Sequence, residues 1–195
     1  TYAVGSDATL SLTATHADQL SSSGDGSVIV TGIAGGATDL SSLASDVDVT
    51  AANLTAGVTY MVVASGDTLT LTATQADGET LTGTGTVAVT ALEGDLAANL
   101  SGLHADLTTT AALNSTGNVA LEAAANLTNV DTINISGDGT VTAHADATLG
   151  GGTYAVGSDA TLSLTATHAD GLTANGDGTV AVTALEGDLA ANLSG

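Results

Sequence analysis

The sequence predicts an all-β protein, a parallel β-solenoid (β-helix) with coils of about 18–22 residues. Three observations predict this class. Short apolar strands recur at that interval, glycine-bounded turns precede several of them, and long segments repeat at unequal offsets. The apolar residues are almost all Ala, Leu, Val and Ile, and only 2% of the chain is aromatic. Such small side chains suit a narrow, regularly packed interior.

The strands are predicted by alternating apolar residues that follow a turn with two glycines. This pattern occurs at residues 24–32, 83–91, 137–145 and 176–184. Period-two alternation with Val, Ile and Thr is typical of a strand, and glycine supplies the positive φ of a tight turn. The interval from Leu107 to Val141 is longer than the others and predicts an irregular or additional coil. The leading strand residues are Leu10, Val28, Val47, Leu69, Val87, Leu107, Val141, Leu162 and Val180.

The long repeats favour the solenoid over its alternative, tandem antiparallel β-sandwich domains. Residues 1–18 recur unchanged at 153–170, and residues 86–102 recur unchanged at 179–195. A diverged copy at 68–77 lies much closer to its first counterpart, at 9–18, than to its last, at 161–170. A sandwich has a fixed number of strands, whereas a solenoid accepts whole extra coils. We therefore expect one array over 1–195, a segment of a longer chain, with long repeats of roughly 1–58, 59–152 and 153–195.

One stretch allows a different local structure. Residues 91–113 are rich in Ala and Leu, with leucines at helical spacing, so a short helix or turn is expected there.

The charge composition excludes several classes of function. The chain has 21 acidic residues and no Lys or Arg, giving a net charge of −21. Nucleic-acid binding and P-loop phosphate chemistry both require basic side chains. No apolar run is long enough to span a membrane, and no G-x-S-x-G nucleophile motif occurs. We expect a protein that is not an enzyme and has no catalytic site. No cofactor is definitely indicated, and Ca²⁺ is the candidate.

Four His-Ala-Asp tripeptides are candidate metal sites. They pair His16 with Asp18, His104 with Asp106, His144 with Asp146, and His168 with Asp170. Residues two apart on a strand face the same way, so the imidazole and carboxylate of one tripeptide would share a metal ion. A fifth copy has Gln75, a poor metal ligand, which favours the alternative that the motif is a structural corner.

Asp25, Asp138 and Asp177 lie between the glycines of three turns and are candidate Ca²⁺ ligands, because hard cations take oxygen ligands. The fourth turn has Thr84 instead, which favours a role for the glycines rather than the carboxylate.

Asn residues in Ala-Ala-Asn-Leu segments form a further repeated feature, at Asn53, Asn99, Asn126 and Asn192. The pattern predicts stacked side-chain amides at equivalent corners, with N-glycosylation of these N-x-S/T sequons as the alternative.

The pattern TATxADGLTxxGDGTVxVT, clearest at 165–183, resembles repeats of very large bacterial extracellular proteins. These are repetitive adhesins, surface-layer-like proteins and RTX-type β-solenoid arrays. The resemblance implies secretion or cell-surface location, a structural or adhesive role and possible Ca²⁺ dependence. Together with the repeats, it predicts a structural protein that self-associates into a fibre, matrix or surface layer and binds divalent cations. The alternative function is the repeat region of a calcium-dependent adhesin.

Overall fold

The chain forms a parallel β-solenoid of about 8 turns. A computed structural model describes residues 1–33, 38–53, 60 and 62–183. The predicted fold class is confirmed, and the coils stack into continuous parallel sheets rather than antiparallel sandwiches.

The regular elements are short, as expected for a coil with several corners. Three one-turn helices occur, α1 (Ala14–Ala17), α2 (Ala73–Ala76) and α3 (Ala166–Ala169), and a 3-10 helix covers Leu92–Gly94. Residues 91–113 contain this 3-10 helix, turns over 95–107 and the beginning of a strand, so the short helix or turn expected there is present. The strands are β1 (Tyr2–Ala3), β2 (Thr9–Thr13), β3 (Ser22–Ser23), β4 (Ser27–Ile33), β5 (Asp46–Asp48), β6 (Ala52–Asn53), β7 (Thr68–Thr72), β8 (Thr86–Thr90), β9 (Thr108–Asn114), β10 (Val119–Leu121), β11 (Thr132–Ser136), β12 (Thr140–Ala143), β13 (Thr153–Val156), β14 (Thr161–Thr165), β15 (Thr173–Asn175) and β16 (Thr179–Thr183).

Two stacks of strands form the faces of the solenoid. The main sheet runs β2, β4, β5, β7, β8, β9, β11, β13, β15, and the second sheet runs β10, β12, β14, β16. In addition, β1 pairs with β3, and β6 pairs with β4. Every pairing between these strands is parallel. Thr9 of β2 is in register with Ser27 of β4, and Thr86 of β8 with Thr108 of β9, and both separations fall within the predicted coil length.

The core is a column of aliphatic side chains enclosed by the coils. In β7, Leu69 and Leu71 are buried while the intervening Thr side chains are partly exposed. Burying one such side chain contributes about 1.5–3 kcal/mol. Tyr154 is the one large aromatic residue in the described core, and its hydroxyl donates to the carbonyl of Leu149 at 2.6 Å. Because the chain has no Lys or Arg, its stability rests on stacked aliphatic side chains and inter-coil hydrogen bonds.

The two faces exchange roles along the chain. The segment TLSLT is β2 in the main sheet at its first occurrence and β14 in the second sheet at its second. The segment TYAV is likewise outside the main sheet as β1 but inside it as β13. The sequence separation of the paired residues is nevertheless the same at both occurrences, because Tyr2 pairs with Ser22 and Tyr154 pairs with Ala174. Both faces therefore accept the same strand pattern.

This exchange explains the long interval between Leu107 and Val141, for which an irregular or additional coil was expected. Val87 pairs with Thr109, not with Leu107, and the main sheet continues to β11 at regular spacing. Val141 belongs to the second sheet, where it pairs with Val119. The interval thus joins positions on two different faces, and the coils between them are regular.

Candidate functional site

The turns with two glycines are places where successive coils touch backbone to backbone. The first glycine has φ between +91° and +136° in Gly24, Gly83, Gly137 and Gly176. At the second glycine, a Cβ atom would lie 2.0–2.3 Å from a carbonyl oxygen of the coil below, as at Gly26, Gly85, Gly139 and Gly178. Since no side chain fits at that distance, both glycines are required by the stacking.

The middle residue of these turns has no such constraint. Asp25, Thr84, Asp138 and Asp177 are all exposed. The exchange of Asp for Thr at this position is therefore explained, because the glycines build the turn whichever side chain lies between them.

The acidic residues of these turns form two columns along the solenoid. Because Thr140, Thr161 and Thr179 are in register, Asp138, Asp159 and Asp177 lie one coil apart, about 4.8 Å in rise. By the same register Asp7 lies one coil before Asp25. Asp25 belongs to a turn that precedes a main-sheet strand, whereas the turn of Asp138 follows one, so the two columns lie at opposite edges of that sheet. Sequence reasoning missed Asp7 and Asp159. Both lie in Gly-Ser-Asp-Ala segments two residues before a strand, as the Asp of each Gly-Asp-Gly turn does, and aligning the two kinds of turn would have identified them.

The tripeptides at His16 and His168 lie on one-turn helices, not on strands. Thr13 and Thr165 cap these helices, accepting from the backbone N–H of His16 and His168. A helix ends at Ala17 and Ala169, so Asp18 and Asp170 are C-cap residues rather than strand neighbours of the imidazoles. The strand geometry assumed for a shared metal ion is wrong at these two places.

Gln75 shows what this helical position does. In α2 its Oε1 accepts from the N–H of Thr72 at 2.9 Å, completing a capping box. Its Nε2 donates to the carbonyls of Val49 and Ala52 in the preceding coil, both at 2.8 Å. In α3 the Nε2 of His168 makes one comparable contact, 2.9 Å from the carbonyl of Ala147, and its Nδ1 is buried without a partner. Glutamine and histidine thus share a structural role, joining a corner to the coil below.

At His104 and His144 the tripeptide forms a turn. The imidazole Nδ1 accepts from the backbone N–H of Asp106 at 3.3 Å and of Asp146 at 3.1 Å. The carboxylates lie 3.5 Å and 3.7 Å from the same nitrogens, on exposed side chains. Here histidine closes the turn as Asx side chains do, so these pairs come together for a local structural reason.

The repeated asparagines stack at one corner, although not through their amides. Asn99 and Asn126 form a parallel bridge between neighbouring coils. Each Oδ1 accepts from the hydroxyl two residues on, Ser101 at 2.7 Å and Thr128 at 2.6 Å, so the side chain closes its own turn. The stacking of these residues at one corner was predicted. The coils are joined there by the backbone bridge, and each side-chain amide bonds within its own turn. The side chain of Asn53 and the whole of Asn192 lie outside the described residues.

Several titratable groups are perturbed by local contacts. Hydrogen bonds from the side chain and backbone of Ser41 lower the pKa of Asp39. Burial raises the pKa of Glu79. Burial also raises the pKa values of Tyr60 and Tyr154, with the charge of Glu79 adding to the effect at Tyr60.

Within the described part of the chain, no three His, Asp or Glu side chains are grouped so that they could hold a metal ion. Among the same residues, no helix has the length and apolar character needed to cross a membrane. Comparison with protein-family models, curated proteins and solved structures found no match to this chain.

Proposed function

We propose that this protein is a non-enzymatic, extracellular structural protein whose coils stack into a fibre, matrix or surface layer. The observation that carries the proposal is the reuse of one coil design on both faces of the solenoid. The strands β2 and β14 have the same sequence and length although they lie in different sheets, and an assembly would extend by adding further copies of the same coil. The chain also lacks Lys and Arg, which leaves no bond for trypsin-like proteases outside the cell.

The surface charge selects divalent cations, Ca²⁺ above all, as partners. Of the 21 acidic residues, only Glu186 and Asp188 lie outside the described part, which leaves 19. The nine stacked strands of the main sheet rise about 38 Å, so the rod carries one negative charge per about 2 Å. This density is comparable with that of duplex DNA, about one charge per 1.7 Å. Rods of this kind repel each other at low salt and are bridged by cations with oxygen preference.

Electron microscopy with millimolar Ca²⁺, and after addition of EDTA, tests the proposal. We expect elongated assemblies in Ca²⁺ that shorten or separate in EDTA. Monomeric particles in both conditions would contradict a fibre or layer. A glycan and protein binding screen in Ca²⁺ separates this function from that of an adhesin, because an adhesin is expected to bind a specific glycan or protein and a purely structural coil is not.

A further inference from the structure

We propose that two copies of the chain pair laterally, through the outer faces of their main sheets and with their solenoid axes antiparallel. The inference rests on the proposed self-association and specifies how two rods join side by side. Three features of that face carry it: a near absence of charge, a hollow over β5 and a ladder of threonines centred on β11.

The outer face of the main sheet is nearly uncharged, unlike the rest of the surface. Its described outward side chains are Thr, Ser, Ala, Asn and Ile29, apart from two carboxylates on β5, Asp46 and Asp48. The other 17 of the 19 acidic residues in the described part lie outside the strands of this sheet. Parallel, in-register sheets with short uncharged side chains pair face to face by interdigitating those side chains. Depletion of charge at the centre is also typical of protein interfaces.

The face is large enough for a specific interface. Its nine described strands rise about 38 Å, and a strand of five residues is about 16 Å long. Two such faces in contact therefore bury about 1,200 Å² in total, which is at the lower end of the range for stable, specific interfaces.

A hollow of about 330 Å³ opens on this face over β5, and Asp46 and Asp48 line it. One oxygen of each carboxylate accepts a backbone N–H of the same chain, from Thr68 at 2.8 Å and from Thr50 at 2.9 Å respectively. Among the described residues, the second oxygen of each carboxylate has no hydrogen-bond partner. The hollow therefore offers acceptors to the donors of a partner surface.

A ladder of threonine hydroxyls lies on the same face, on the other side of β8. Thr110 of β9, Thr132 of β11 and Thr153 of β13 are in register. Followed through the sheet, the same register aligns Thr132 with Asp48 of β5. Because β5 and β11 are each two strands from β8, a two-fold axis along β8 places Thr132 of one copy opposite Asp48 of the other. The threonine ladder of each copy then covers the hollow of its partner.

The charges on β5 select this orientation over the other two-fold arrangement of the same faces. With the two-fold axis parallel to the solenoid axis, β5 of one copy would lie on β5 of the other. Asp46 and Asp48 of both copies would then share one desolvated site, and such juxtaposed like charges are strongly unfavourable. The antiparallel arrangement instead gives these carboxylates hydroxyl donors.

The antiparallel arrangement also makes pairing dependent on Ca²⁺. The axis places β7 opposite β9, so Asp67, just before β7, comes near Asp106 of the second copy, two residues before β9. At the same edge of the face, Asp46 comes near Asp131 of the second copy. These like charges oppose association at low salt, and cations that prefer oxygen ligands relieve the repulsion. Lateral pairing is therefore expected to strengthen in Ca²⁺ and to weaken in EDTA.

Opposite charges introduced at Thr132 test both the face and the orientation. Thr132→Lys places an ammonium group opposite Asp48 of the second copy, and Thr132→Glu places a carboxylate there. Thr142→Lys and Thr142→Glu are matched controls, because Thr142 is an exposed threonine on β12 of the second sheet. Sedimentation velocity in Ca²⁺ at about 0.15 M salt gives the dimer dissociation constant of each variant.

We expect pairing at least about tenfold tighter for Thr132→Lys than for Thr142→Lys, and at least about tenfold weaker for Thr132→Glu than for Thr142→Glu. Each substitution acts twice in the dimer, because the two-fold axis repeats the contact. Far-UV circular dichroism of each variant checks that the β fold is retained.

The other outcomes separate the pairing from self-association in general. Equal dissociation constants for the Thr132 and Thr142 variants would overturn this face and leave self-association intact. Weaker pairing for both Thr132 variants would overturn the antiparallel orientation. Absence of association of the unmodified chain at every Ca²⁺ concentration would overturn the proposed function as well.

Discussion

The close approach of coils at the two-glycine turns leads to a quantitative prediction for Gly85→Ala. A Cβ at this position would lie 2.2 Å from the carbonyl oxygen of Ala64 and 2.6 Å from that of Asp67. These contacts are with backbone atoms, which cannot rotate away as the end of a side chain would. The coil containing Gly85 must therefore move away from the coil below it.

The cost follows from the bonds that the movement breaks. Gly85 N–H donates to the carbonyl of Val63 and Thr86 N–H donates to the carbonyl of Asp67, each at 2.9 Å, and both bonds join the coil of Gly85 to the coil below. Loss of these two bonds at about 1 kcal/mol each, together with about 1–3 kcal/mol for the overpacking, destabilises the fold by about 3–5 kcal/mol.

Urea unfolding followed by far-UV circular dichroism measures this cost, since urea does not screen the acidic surface. Two controls are available in the same chain. Gly94 has no heavy atom within 4 Å of an added Cβ, so Gly94→Ala is expected to change stability by less than about 1 kcal/mol. Thr84→Asp reproduces the turn of the other copies and is expected to be neutral within about 0.5 kcal/mol. If Gly85→Ala proved no more destabilising than Gly94→Ala, the backbone contact between coils would be refuted.

Three further changes have defined outcomes. Thr109→Val removes a buried hydroxyl that has no partner, so thermal unfolding should show a stabilisation of about 1–2 kcal/mol. His168→Gln should stabilise the corner of α3 by about 1 kcal/mol in urea unfolding, because Gln75 makes more hydrogen bonds at the equivalent position. Burial raises the pKa of Glu79, so its contribution to stability is present below its unfolded-state pKa, near 4.5, and is lost as pH rises through the higher folded-state value. Glu79→Gln should therefore stabilise the protein at pH 7 and have little effect at pH 4, beyond the effect of the exposed control Glu122→Gln.

Each of these predictions has a contradicting result. A loss of stability in Thr109→Val would mean that the hydroxyl has a partner in solution. Destabilisation by His168→Gln would show that the two corners are not equivalent. Identical pH profiles for Glu79→Gln and Glu122→Gln would remove burial as the cause of the raised pKa.

The fold class and coil length were predictable because each coil carries its own local signals. Strand alternation and the glycine turns are both readable within a few residues, and the coil interval follows from them. What the pattern did not reveal was the face on which a strand lies. TLSLT has the same local pattern in β2 and β14, so only the stacking of the whole chain distinguishes main sheet from second sheet.

The candidate site was predictable in outline but not in contacts. The replacement of His by Gln75 indicated a corner, and the structure gives its reason in the bonds to the preceding coil. The helix at His16 was missed because a strand of five residues precedes it and no apolar period marks a single turn. The acidic columns were missed because Asp138 and Asp159 become neighbours only through inter-coil register.

The central claim is that parallel coils stack along the axis of the rod and of its assemblies. Fibre diffraction from aligned assemblies grown in Ca²⁺ tests it most directly. We predict a meridional reflection at about 4.8 Å, because the rise between coils is then parallel to the fibre axis. A reflection at that spacing on the equator, or its absence from well-aligned fibres, would contradict axial stacking of the coils.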